Sequence, residues 1–189
     1  MSVALVAVGP VPEPPLARIE ECVRAAFRLE VRRLSPVAEP AEAYVPSRGQ
    51  WSSSELLRVL LQQRPPGCSR LLGVTERDLF VPVLSFVYGQ AQLGGAAAVF
   101  SLARLRPEFH ALPSDAAALQ RRAAVEAVHE LGHTFGLVHC RRPHCPMSLS
   151  VDLADLDRKT AELCPGCSAL LEGSLPMKRT RAQRTADRP

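Results

Sequence analysis

Residues 129–139 read His-Glu-Leu-Gly-His-Thr-Phe-Gly-Leu-Val-His. Three imidazoles, one carboxylate and one glycine at that spacing suit a zinc ion with an open coordination position. Residues four apart share a helix face, so His129 and His133 can turn ring nitrogens toward one ion. Glu130 is displaced around the helix from both, which suits a general base acting on water activated by the metal better than a third ligand. Gly136 lies three residues past His133, and glycine most cheaply takes the left-handed conformation that ends a helix. A turn there swings His139 back toward the ion, and three histidines with one water make an open tetrahedral site. HExxH alone arises by chance, and a lone histidine is usually a core or surface residue. The chain has five histidines and spends three of them here, which favours the metal.

A second constellation begins one residue later. Cys140, Cys145, Cys164 and Cys167 form C-x4-C and C-x2-C, spacings that suit a closed thiolate zinc site. Two disulfides are the competing reading, and they need an oxidising compartment. Residues 1–9 have neither the basic start nor the apolar core of a secretory signal. Crowding four of the six cysteines into residues 140–167 favours one metal over two bridges, leaving Cys22 and Cys68 as buried small hydrophobes. Met147 is the one methionine that is neither the start residue nor in the tail, and its position lets a thioether pack beneath the histidines.

Together these residues resemble the archaemetzincins, a branch of the metzincin metallopeptidases. The resemblance covers HELGHTFGLVH, the four cysteines and Met147, and reaches upstream to Arg48-Gly49-Gln50-Trp51 and the run from Leu71 to Leu105. One departure is the interval of sixteen residues between Met147 and Cys164, one shorter than the family spacing, which a slightly different helix length absorbs. The resemblance implies an α/β metzincin-like single domain over 1–173: a twisted mixed β-sheet with packed helices, an active-site helix and a small zinc-bound C-terminal region. It implies Zn2+ twice per chain, one catalytic on His129, His133 and His139 and one structural on the cysteines, with Met147 in the turn under the metal.

At 189 residues and 47% hydrophobic content the chain fits one domain with a substantial core. No apolar run reaches the ~20 residues a spanning helix needs, so no membrane partner is expected. Residues 174–189 carry Lys178, Arg179, Arg181, Arg184 and Arg188 against Asp187, which is a net +4 and accounts for the whole-chain +4. That segment lacks apolar periodicity and is expected to be a disordered basic tail. Without interleaved aromatics or a recognition motif, it argues against a nucleic-acid role. The expected location is the cytoplasm, the expected partner a peptide or protein substrate, and the expected state a monomer.

Patterning predicts a buried strand at Val3–Val8, a helix over Leu16–Leu29 and a strand at Glu30–Leu34. A proline-bearing loop, Ser35–Arg48, precedes a helix capped by Ser52 or Ser53 and running to about Arg64. Strands are predicted at Arg70–Thr75 and at Phe86–Gln92 and Ala97–Ala103 around Gly94-Gly95. The active-site helix should run from Ser114 to Gly136, and a helix over Asp152–Leu163 should deliver Cys164 and Cys167.

The implied reaction is peptide hydrolysis without a covalent intermediate, with Glu130 moving the proton to the leaving amine. Ala97–Leu102 is taken as the edge strand that pairs with an extended substrate. Specificity stays open, including whether the enzyme is aminopeptidase-like or cuts internally, and neither Tyr44 nor Tyr88 is assigned to the oxyanion. Arg48 reads as holding the loop before the second helix, Asp78 as capping a turn, Trp51 as packed, and His110 and His144 as surface or ligand-supporting groups, with His144 able to replace a cysteine ligand. The alternatives are a zinc-dependent binding protein without peptidase activity, a structural two-zinc scaffold, and an amidase acting on a non-peptide amide. Glu130 beside an open coordination position favours the enzyme.

Overall fold

A computed structural model describes residues 1–175. The chain runs β1 (Ser2–Val8), α1 (Glu13–Phe27), β2 (Glu30–Arg33), β3 (Tyr44–Val45), β4 (Gln50–Ser52), α2 (Ser53–Gln62), β5 (Arg70–Thr75), β6 (Leu79–Phe80), β7 (Gly89–Ala91), β8 (Ala97–Ser101), α3 (Ala116–Thr134), α4 (Leu153–Asp157) and α5 (Pro165–Ser174). From 176 onward the expected basic tail lies outside the described residues, and the helix α5 extends one residue past the expected boundary at 173.

Five strands form one sheet in the order β2-β1-β5-β8-β7. The first four are parallel and β7 is antiparallel to β8. Parallel strands are covered on both faces, which is why β1 reads as an unbroken apolar run rather than an alternating one. Val3, Leu5 and Ala7 face Ile19, Val23 and Phe27 of α1 and Val128 and Leu131 of α3. Ala4, Val6 and Val8 face Leu56, Leu57 and Leu60 of α2. A smaller sheet, β3-β4-β6, interrupts the loop predicted between β2 and α2, and Ser52 caps α2 as expected by accepting from the Glu55 N–H.

Two expectations are corrected. Ala97–Ser101 is not the edge: β8 lies between β5 and β7, and the three-residue β7 is the edge strand. The helix expected over Asp152–Leu163 stops at Asp157. There the chain is drawn away from helical geometry by Thr160, whose N–H bonds to His144 O, and by Lys159, whose ammonium donates to Ser148 O and Ser150 Oγ. Cys164 is instead the residue before a further helix, α5, which carries Cys167.

Candidate functional site

Asp115 starts α3 by accepting from the Ala118 N–H at 2.8 Å, and Gly136 ends it at φ +87°, the left-handed turn expected of it. The helix is buried for most of its length because α1 covers one side and the cleft wall crosses the other. The turn at Gly136 brings His139 to His129 and His133, with one ligand nitrogen of each within 4.8 Å of the others. His129 Nδ1 donates to Pro146 O and His133 Nδ1 to Leu137 O, both at 2.7 Å. Those bonds leave the two Nε2 lone pairs free, 3.1 Å apart. Zn–N bonds of ~2.0–2.1 Å in a tetrahedron place two nitrogens about 3.3 Å apart. Burial, with His133 second, pushes His129 down to about 3, and burial also lowers His133, so both rings are neutral, as ligands must be. The donor set therefore fits zinc.

Met147 is fully buried, and a Cβ on Gly132 would lie 2.5 Å from its Sδ. The thioether thus packs on the helix between the two histidine turns, as its position in the sequence predicts. Cys140 follows His139 directly, and its N–H donates to Met147 O at 2.9 Å. The Sγ atoms of Cys140 and Cys164, and of Cys145 and Cys167, are each 3.8 Å apart. A disulfide needs ~2.0 Å, whereas Zn–S bonds of ~2.3 Å in a tetrahedron give about 3.8 Å. All four thiols are free and their sulfurs cluster, so this group also fits zinc. His144 does not join them: it is exposed and bonds through Nδ1 to Arg158 O.

The histidines border a cleft of about 590 Å3 walled by residues 84–91 on one side and 149–151 on the other. Ser101 N–H donates to Tyr88 O and Gln92 N–H to Ala97 O. By antiparallel alternation, Gly89 and Ala91 therefore turn their backbone N–H and C=O groups to the open edge of β7. Arg48 ties the segment before α2 to this wall: its Nε donates to Gln50 Oε1, and Gln50 Nε2 donates to Asp78 and to Ser85 O. The Arg48 guanidinium donates to Leu84 O and Ser85 O, and Asp78 accepts from Gln50 and, through both oxygens, from Arg104. Arg104 O in turn bonds the exposed His110, and Trp51 packs against Tyr44.

Glu130 reaches the cleft directly beneath Gly89, where a Cβ would lie 2.6 Å from its Oε1. Burial, with Glu126 second, holds the Glu130 carboxyl well above the usual carboxylate range. A dication on the imidazoles opposes that shift. Gly89→Ala is expected to displace this carboxylate and lower kcat about 10²-fold with zinc content and melting temperature unchanged, read by metal analysis and steady-state kinetics. Unaltered kcat would show that Glu130 needs no such clearance.

Two further residues border the cleft: Tyr88, which the sequence left without a role, and Glu126, which it did not single out. Tyr88 lines the cavity, and burial, with the fields of Glu126 and Asp152, pushes its hydroxyl up to about 12, so it stays protonated. Glu126 lies one helical turn before Glu130, and burial pushes it up to about 7 against the opposing field of Lys159. The i, i+4 spacing from Glu130 was the available signal for Glu126.

The sequence profile of peptidase family M54 matches residues 67–173. An archaemetzincin of Methanocaldococcus jannaschii is 44% identical over 133 residues, 70% of this chain and 72% of that protein. The chain belongs to the archaemetzincin family. The crystal structure of archaemetzincin from Methanopyrus kandleri superposes with TM-score 0.81 at 39% identity, covering 92% of this chain and 94% of that one. A zinc-dependent peptidase from Methanocorpusculum labreanum gives TM-score 0.80 at 30% identity, covering 89% and 99%. Archaemetzincins are zinc metallopeptidases, so a peptide or protein substrate follows, and the mixed α/β fold is that of the family. Among the described residues no helix is long and apolar enough to cross a membrane.

Proposed function

We propose that this chain hydrolyses peptide bonds with His129, His133 and His139 holding one zinc and Glu130 as general base, while Cys140, Cys145, Cys164 and Cys167 hold a second, structural zinc. The observation that carries the reading is the convergence of three imidazoles and the Glu130 carboxylate in a cleft whose wall is an unpaired strand edge. A zinc ion on the imidazoles supplies Lewis acidity, polarising the scissile carbonyl and acidifying water. The backbone of an extended substrate pairs with Gly89 and Ala91, which sets its carbonyl beside the histidines. Glu130 takes a proton from the attacking water as the oxygen–carbon bond forms, and returns it to the nitrogen as the carbon–nitrogen bond breaks. Leu84, Leu149 and Val151, each more than half exposed, give the rim apolar surface for flanking side chains. The relative from Methanocorpusculum labreanum, described as a zinc-dependent peptidase, supports the same reading.

An aminopeptidase-like preference is the finer form of this proposal, and it requires a group that receives the substrate's α-ammonium. A zinc-dependent binding protein without peptidase activity is the alternative. Incubating a proteome-derived peptide library with the protein, before and after chelation, separates them. Cleavage that is lost with the metal and restored by zinc is the expected result. A zinc-loaded protein that cuts nothing overturns the peptidase reading and favours the alternative.

A further inference from the structure

One buried carboxylate in the cleft is given nothing to do by the hydrolytic chemistry. Glu126 is 3% exposed and borders the same cavity as the histidines. Among the described residues it makes no side-chain hydrogen bond and no ion pair, although no fully enclosed side-chain oxygen or nitrogen there lacks a partner. Its oxygens therefore border the open space of the cleft instead of being sealed in protein. Burying a carboxylate without a partner costs more free energy than burying a glutamine here, and far more than burying a leucine. The cation whose field reaches Glu126 does not discharge that cost by contact, because the Lys159 ammonium is spent on Ser148 O and Ser150 Oγ.

We propose that Glu126 is a specificity-determining residue whose carboxylate receives a cationic group of the substrate, an ammonium or guanidinium, beside the histidine site. Calling the ligand a peptide rests on the peptidase reading above. A lysine or arginine side chain fits the surroundings, because its alkyl stem can lie along the exposed Leu149 and Val151 while its head reaches the carboxylate. The α-ammonium of a substrate has the same chemistry, and Glu126 would then make the enzyme an aminopeptidase. Either cation restores the partner that the buried carboxylate lacks.

The test uses matched peptides with lysine or norleucine beside the scissile bond, each with a free or an acetylated amino terminus. Wild type, Glu126→Gln and Glu126→Asp are compared after zinc loading and a check of melting temperature. A side-chain cation predicts a kcat/KM ratio of lysine over norleucine of about tenfold or more in the wild type. An α-ammonium predicts the same ratio for free over acetylated termini. In either case the ratio falls to near one in Glu126→Gln, chiefly through KM, and is partly restored in Glu126→Asp. Neither preference in the wild type, or a preference that survives Glu126→Gln, overturns the proposal. Should the wild type cut none of the peptides, their dissociation constants from the zinc-loaded protein decide. A charge preference that depends on Glu126 keeps this proposal while the peptidase reading fails, and equal affinities overturn it.

Discussion

Glu130→Gln is expected to lower kcat/KM by roughly 10²–10⁴-fold while leaving both the fold and the zinc content intact. The amide fills the volume of the carboxylate beneath Gly89 and keeps a hydrogen-bonding oxygen, but it cannot accept the proton of the attacking water. His129, His133 and His139 are untouched, and the first two are oriented by Pro146 O and Leu137 O rather than by Glu130. The loss should fall on kcat, because the proposed backbone pairing at the β7 edge does not involve this side chain. Peptide hydrolysis rates and zinc analysis on the same sample check the expectation. A variant within a few-fold of the wild type would mean that another group takes the proton.

Cys164→Ser is expected to cost the protein at least about 4 kcal/mol, roughly 10 °C in melting temperature, and to loosen the histidine site as well. The coupling has a physical path. Cys140 adjoins His139 and bonds Met147 O, Met147 packs on Gly132, and Pro146 supplies the carbonyl that orients His129. Cys164 and Cys167 pin α5 to that same loop through the sulfur cluster, so losing the cluster frees both ends at once. Thermal denaturation and metal analysis should show the melting point and the zinc on the histidines falling together. An unchanged melting temperature with a full metal complement would show that the two groups are independent.

Much of this site is legible in the sequence because it is local. The histidine spacing, the glycine that ends α3 and the cysteine pairs are set by neighbouring residues, and the left-handed φ of Gly136 is what that position requires. Strand order is not local. Ala97–Ser101 and Gly89–Ala91 are both short runs near a glycine turn, and which of them lies at the edge depends on β5 claiming one side of β8. The helix after Met147 stops short of the predicted Leu163, although its residues favour helix, because Lys159 and Thr160 are held by partners at residues 144–150. Glu126 reads in sequence as one more charged residue of an amphipathic helix. Its burial in the cleft shows only once residues 84–91 and 149–151 are folded around it.

Zinc is expected at two separate sites, one open on three histidines and one closed on four cysteines. Anomalous diffraction from crystals of the native protein, measured on either side of the zinc absorption edge, locates the ions without reference to activity. Two peaks are expected, one among His129, His133 and His139 and one among Cys140, Cys145, Cys164 and Cys167. A single peak at the cysteines, with none at the histidines of a protein that nonetheless cleaves peptides, would contradict that expectation.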